Sequence, residues 1–447
     1  MLNLPTKLKA LDDPIRVGIV GAGLFGTKLA DQIECAPGMT VAAIADIEPK
    51  KASDTFTEAG VEETVIEAET VDEADRVIKR GERVILSDGR LLAETDVNVV
   101  VEATGVPDVG ARHAYAALAE GKHVINATVE ADTVVGPALA TLADEQDVTY
   151  SLAYGDQPAL MVELCDWART IGMDIVAAGR GSMYVDEYRF GTPDDVFERW
   201  GYDDEFIDEH DLNPRMYNSF LDGTKIAVES CALANAVGLE PDVPGMHLRT
   251  LEAHEVPTTL RLKEDGGVLG QTNTVEAISS LYSDGSTTEL DLSWSMFVVA
   301  RTPNQAVQEY FSQNRGHGFY VASDGEYVFF YRPHHLPGIE TPVSVANAML
   351  RNEPTGAPRG RYAEVVGAAK RTLEPGTELD GGGGYTTYGT LEAAERAREC
   401  GYVPFELLDG ATVTSSIDQD DVLTYDDVEL EDSFIKKLRE NPSSVSP

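Results

Sequence analysis

A chain of 447 residues is long enough for two or three domains with cores of their own, and a hydrophobic content of 43% marks it as globular. Its charge is the extreme quantity: 77 Asp and Glu against 35 Lys and Arg leave a net charge of −42, and only 12 of the basic residues are lysine. That balance argues against nucleic acid as a partner, which needs a basic patch to release counterions from phosphates. It fits an acidic, halophilic surface that salt screens, with recruitment of a basic partner as the alternative.

Cys35, Cys165, Cys231 and Cys400 form no C-x-x-C pair and suit no metal knuckle, so they read as reduced thiols in a cytoplasm. The first residues, MLNLPTKLKALDDP, lack the apolar core of a signal peptide, and no apolar run approaches the ~20 residues of a membrane span. A soluble, cytoplasmic chain with no membrane partner is the expectation.

In chain order, IRVGIV at 15–20 predicts a buried strand, followed by a glycine turn and a helix to about Cys35. TVAAIA at 40–45 predicts a second strand, ending at Asp46. Residues 71–80 have helical periodicity, with Thr70 and Glu73 spaced for a capping box. Strands are expected at 83–86, 98–101, 123–126 and 148–152, and helices at 109–120 and 137–146. Strands alternating with helices mean a parallel sheet built from βαβ crossovers.

Past Tyr154 the pattern changes. A helix at 158–171 and a strand at 173–178 precede an acidic, aromatic, loop-rich stretch at 186–213. Another helix follows at 225–237, and strands dominate 260–331, with turns at Asp265-Gly266-Gly267, Asp284-Gly285 and Asp324-Gly325. From about Glu353 the tail shows an internal echo: AKRTLEPGTELD (369–380) against VTSSIDQDDVLTYDDV (413–428), which predicts a small β module with pseudo-duplicated halves. The fold class is therefore α/β, in three parts: a dinucleotide-binding Rossmann domain at 1–154, an α+β catalytic and dimerisation domain at 155–352, and a small β-rich domain at 353–447.

The Rossmann assignment rests on IVGAGLFGTKLA. Gly21, Gly23 and Gly26 stand in the spacing G-x-G-x-x-G, directly after a strand and directly before a helix. Such a turn lets a pyrophosphate approach the backbone at a helix N-terminus. Gly21, Gly23, Leu24, Phe25 and Gly26 are the expected contacts. Asp46 ends the second strand at the position where an acid grips the adenosine ribose, and a carboxylate there favours NAD over NADP. Lys50 and Lys51 just downstream would accommodate the extra phosphate of NADP or merely decorate a helix. The small residues Ala103, Thr104 and Gly105 of VEATG should approach the nicotinamide. INATVEAD follows the next strand and should lie at the sheet's carboxyl edge, with Asn126, Glu130 and Asp132 as candidates for cofactor or substrate.

In the second domain, Asp156 is a helix N-cap or a carboxylate facing substrate. The stretch DGTKIAVESCALANAVG (222–238) is almost entirely small or apolar, so its helix should be buried. Lys225 and Glu229 sit one turn apart on it and suit proton transfer or a structural ion pair. Lys225, Glu229 and Asp222 are the catalytic candidates. His317, His334 and His335 cluster with Arg332 in GHGFY…FFYRPHHLPGIETP and would hold an anionic group, as would Arg180. Zinc finds no regular ligand spacing there; a divalent metal elsewhere is left open.

Together, GAGLFGTKLA, VEATG, GKHVINATVEADTVVGP, YGDQP, FLDGTKIAVESCALANAVGL and RPHHL resemble the homoserine-dehydrogenase-like oxidoreductases with a C-terminal SAF (β-clip) domain, above all the 1-deoxy-D-xylulose 5-phosphate reductoisomerase-like family. AAKRTLEPGTELDG resembles the SAF signature. The resemblance covers most of the chain. It implies a homodimeric NAD(P)-dependent enzyme acting on a small hydroxylated, anionic or phosphorylated substrate. Two departures argue against homoserine as that substrate: Asn126 is followed by Ala127 where those dehydrogenases carry Asn-Lys, and Lys225 precedes Glu229 where they carry Asp before Lys. Homoserine dehydrogenase stays as the alternative within the class, and a non-catalytic dinucleotide-binding redox sensor as the alternative outside it.

Overall fold

The computed structural model describes residues 3–210, 212–316, 318–442 and 445. The chain divides into two compact units. One comprises Met1–Leu160 with Leu336–Arg359 and Asp432–Pro447; the other comprises Met161–His335 with Gly360–Glu431.

The first unit is built on a parallel sheet: β1 (Ile15–Val20), β2 (Met39–Ala45), β3 (Val65–Glu67), β4 (Arg83–Leu86), β5 (Val99–Glu102), β6 (His123–Asn126) and β7 (Tyr150–Leu152), in the order β3-β4-β2-β1-β5-β6-β7. The central strands are mainly apolar, with Arg16, Thr40 and Glu102 toward their ends, because helices cover both faces. Val17, Ile19, Val41, Ile44, Val99 and Val101 form a core with Leu29 and Ile33 of the helix Leu24–Cys35. The chain winds outward from β1 in one direction through β2 and in the other through β5. The carboxyl ends of β1 and β5 therefore flank a topological switch point, the place where open α/β sheets bind ligands.

The predicted Rossmann elements are present, with one marked difference. The helix expected at 137–146 runs from Val129 to Glu145, straight through Pro137. Pro137 costs that helix one backbone hydrogen bond, while Val134, Val135 and Leu139 bury their side chains around it. INATVEAD is accordingly half helix rather than an edge loop. The Thr70 cap forms as expected: its hydroxyl accepts from the Glu73 amide, while the Glu73 carboxylate accepts from the Glu69 amide.

The second unit carries a mixed sheet of β8 (Asp174–Ser182), β9 (Glu240–Pro241), β10 (Arg249–Thr250), β11 (Thr274–Ser279), β12 (Met296–Arg301), β13 (Tyr320–Val321) and β14 (Tyr327–Arg332), with the main order β10-β11-β8-β12-β14-β13 and β9 on β11. The Thr224–Val237 helix packs on this sheet and is buried along most of its length. Short helices occupy much of the stretch read as loop-rich: Asp186–Phe190, Val196–Trp200 and Asp204–His210. A helix at Gln305–Gln313 interrupts the stretch read as strand-dominated.

The tail differs from the expected separate domain. Residues Gly360–Glu431 cluster with the second unit, because β15 (Ala363–Ala369) and β16 (Thr387–Ala393) pack directly on the Thr224–Val237 helix. The two echoing segments of the tail pair with each other. Leu373 and Ile417 exchange backbone hydrogen bonds, and the amides of Gly376 and Val413 bond to the carbonyls of Val413 and Thr377.

With 77 acids and 35 Lys and Arg, at least 42 carboxylates have no such cation to themselves. Their mutual repulsion is largest in the compact state and falls with screening. The melting temperature should rise from low to molar salt. A flat or falling curve would assign the acidity to a partner instead.

Candidate functional site

In the first unit the three glycines of the turn do three different jobs. Gly21 has φ +99°, and a Cβ on it would lie 2.6 Å from the carbonyl oxygen of Ala103, at the end of β5. A Cβ on Gly26 would lie 2.0 Å from the carbonyl oxygen of Gly21, so the helix can follow the turn this closely only with glycine. Gly23 is different: a Cβ there meets no protein atom within 4 Å. The protein therefore does not need glycine at 23, whereas a group lying against the turn would. Gly23 is also the N-cap of the Leu24–Cys35 helix and offers no side chain to its first amides, which leaves them for an anion.

Asp46 is oriented toward this turn. Its Oδ2 accepts from the Ala22 amide at 2.7 Å and its Oδ1 from the Glu48 amide at 2.8 Å. Each oxygen keeps a lone pair for a ribose hydroxyl. Lys51 lies 2.6 Å from Glu48 in an exposed ion pair, and Lys50 is exposed. Of the apolar rim, sequence reasoning offered Leu24 and missed Ile47 and Val106. Leu24 after β1, Ile47 after β2 and Val106 after β5 are 78%, 88% and 50% exposed, all next to the carboxyl ends that meet at the switch point. Apolar side chains held in water around a crevice suit the faces of a planar base. Their signal was their position, each directly after or within a motif already singled out.

VEATG and INATVEAD turn inward. Glu102 is fully buried, and its Oε1 accepts from both the amide and the hydroxyl of Thr104. The Gly105 amide donates to the Thr128 hydroxyl at 3.0 Å. Asn126 is buried, with Nδ2 donating to the Thr128 carbonyl and to the Tyr150 hydroxyl, which in turn donates to Asp132 at 2.9 Å. Asn126 is thus engaged inside the unit rather than presented at its edge. Glu130 is half-buried in the first helical turn, and Asp156 is half-buried just before the helix Gln157–Thr170.

Burial raises the Asp132 carboxyl to about 7, the Tyr150 hydrogen bond opposing it only in part, and burial raises Glu102 as well. Between about pH 4, where a carboxyl in the unfolded chain titrates, and about pH 7, the folded form holds the proton that the unfolded form has lost. Stability should therefore fall as pH rises across that window, by up to about 1.4 kcal/mol per pH unit from this group. Asp132→Asn should flatten the slope in denaturant titrations at a series of pH values; an unchanged slope would clear Asp132.

In the second unit two of the three catalytic candidates, Glu229 and Asp222, stand in buried ion pairs. Glu229 forms a buried ion pair with Arg180, whose Nε also donates to the Gly181 carbonyl. Arg180, expected to hold substrate, here neutralises Glu229. Lys225, expected to be buried, is half-buried, in the first turn of its helix. A cation there opposes the helix dipole, so the position is not one that helix stability favours. Asp222 is fully buried, 2.8 Å from the Lys370 ammonium, and its Oδ1 accepts from the Thr224 amide. Lys370 also donates to the carbonyls of Gly191 and Gly384 at 2.8 and 2.7 Å.

Arg332 is half-buried at the end of β14, 3.9 Å from Glu163. His335 is half-buried, with Nδ1 3.3 Å from the Trp294 carbonyl and its ring beside the Trp294 indole. His334 is exposed, and His317 lies outside the described residues. Among the described residues no three His, Cys, Asp or Glu gather as a metal site, and no helix is long and apolar enough to cross a membrane.

Residues 15–128 match the family model of an oxidoreductase family with an NAD-binding Rossmann fold, and residues 155–341 match that of oxidoreductase DRL, catalytic domain. No curated protein matches the chain. Similar solved structures include scyllo-inositol dehydrogenase from Lactobacillus casei, at 16% identity over 38% of this chain and 47% of that one, TM-score 0.27. An NAD-binding oxidoreductase from Klebsiella pneumoniae is 18% identical over 40% and 47%, TM-score 0.29. The WlbA dehydrogenase from Bordetella pertussis, solved with NADH and UDP-GlcNAcA, is 18% identical over 40% and 46%, TM-score 0.28. The matched region spans about half the length of each of these proteins. The two family matches fall on separate parts of the chain, the one with an NAD-binding Rossmann fold first and the oxidoreductase catalytic domain after it.

Proposed function

We propose that this oxidoreductase acts with NAD(H), as a homodimer, on a small hydroxylated substrate that carries an anionic or phosphate group, and that its specific form is a reductoisomerase of the 1-deoxy-D-xylulose 5-phosphate type. The observation that carries the nicotinamide part is the open face of Gly23, beside uncapped helix amides and the fixed carboxylate of Asp46. These residues fit a dinucleotide: amides for the pyrophosphate, Asp46 for the ribose, and Leu24, Ile47 and Val106 for the base. When bound, the cofactor supplies or accepts the hydride. NAD is favoured because the Asp46 carboxylate repels a 2′-phosphate.

Lys225 is the residue we assign to the substrate oxygen, which its ammonium polarises and protonates as the carbonyl is reduced. Glu229 and Asp222 act from behind, each held in a buried ion pair, by Arg180 and Lys370. Arg332 and His335 receive the anionic end. The test is a screen in molar salt that follows nicotinamide absorbance with NADH and NADPH. It offers 1-deoxy-D-xylulose 5-phosphate, homoserine and neutral hydroxylated analogues. Turnover confined to uncharged substrates would remove the anionic group from this reading. Cofactor binding without turnover of any of them would favour the redox sensor.

A further inference from the structure

The second unit holds a cavity of about 220 Å³ on the side of the Thr224–Val237 helix opposite Lys225 and Glu229. Gly223 and Ala227 face it, and at 3.6 residues per turn Lys225 and Glu229 point away. We propose that this cavity binds a neutral polyol of monosaccharide size. Of the residues assigned above to the reaction only Asp222 reaches this cavity, where Lys370 holds it, so the binding is tested apart from the reading of the reaction.

The charges in its wall are already paired. Arg189 lies 3.0 Å from Asp186 and 3.4 Å from Asp420, and the Tyr388 hydroxyl donates to the other oxygen of Asp420. Asp222 is held by Lys370. An anion would have to displace a carboxylate from Arg189, and a cation would have to displace Arg189 from its carboxylates. Neutral vicinal hydroxyls need do neither, since each accepts from the guanidinium while donating to a neighbouring carboxylate. Met246, Leu248, Leu391 and Val422 supply an apolar floor for the carbon face of a ring. The volume lies below the ~300 Å³ at which drug-sized sites begin.

The backbone of that floor is strained. Met246 and Leu248 have φ +64° and +45°, in the left-handed region that side chains with a Cβ disfavour. The buried Glu276 carboxylate holds them there by accepting from the amides of His247 and Leu248. Strained positions fixed in this way cluster at ligand sites.

Calorimetry on the full chain in molar salt tests the proposal, with D-glucose, D-galactose and D-mannose as neutral probes and D-glucosamine and D-glucuronate as charged ones. At least one neutral sugar should bind saturably, and its charged counterparts more weakly. Arg189→Met should weaken that binding about tenfold or more, the effect of losing a hydrogen bond to a charged group, and Tyr388→Phe should weaken it as well, because the Asp420 carboxylate that accepts from the sugar loses the hydroxyl that fixes it. If Arg189→Met fails to fold, Tyr388→Phe decides, because it removes a single oxygen. Failure of all three neutral sugars to bind, tighter binding of a charged one, or binding indifferent to Tyr388→Phe would each overturn the proposal.

Discussion

Lys225→Met is expected to lower turnover by at least about 100-fold, the usual scale for a lost general acid–base group, while affinity for NADH stays nearly unchanged. Met keeps the apolar stem and removes only the charge. The structure separates this outcome from a stability effect. Glu229, one turn further along the helix, is already neutralised by the buried guanidinium of Arg180, so removing the Lys225 charge does not leave that carboxylate unpaired. Melting temperatures recorded alongside tell lost chemistry from lost fold. A folded, fully active Lys225→Met enzyme would move the proton-transfer role to Arg332 and His335.

Lys370→Met should destabilise the second unit by about 3–5 kcal/mol, because it strands Asp222 as a charge in a fully buried position. It also leaves the carbonyls of Gly191 and Gly384 without the ammonium that now bonds them. Asp222→Asn in the same chain should recover most of the loss, since the amide carries no charge and its oxygen can still accept from the Thr224 amide. Denaturant unfolding of both variants in molar salt measures this. A Lys370→Met protein as stable as wild type would mean that the pair stabilises nothing.

These two lysines mark the limit of what could be read from the chain. Lys225 was legible because a cation in an apolar helix is conspicuous by itself. Lys370 was not, because its partner lies 148 positions away and nothing local in AAKRTLEPG points to it. The same distance effect hid the ion-pair partner of Glu229. Helical spacing offered Lys225 as its partner, and tertiary packing brought Arg180 from β8. The Rossmann sheet was readable almost strand by strand, since strands buried on both faces leave mainly apolar runs such as IRVGIV and TVAAIA. The helix through Pro137 was not, because proline marks a helix start more often than an interior. The echo in the tail was visible as similarity; that its two copies pair with each other was not.

The most direct test of the whole account is a titration of NADH into the wild-type protein and Gly23→Ala, with melting temperatures recorded alongside. A Cβ at position 23 meets no protein atom within 4 Å, and the backbone there, at φ −83° and ψ −167°, is open to alanine. The substitution should cost the fold no more than about 1 kcal/mol through the weaker N-cap. If the turn cradles the pyrophosphate, the added methyl occupies the space of the ligand alone. Wild type should then bind NADH saturably and Gly23→Ala should bind it about tenfold or more weakly, with little change in melting temperature. Equal affinity in the two proteins, or no binding to wild type, would contradict the account.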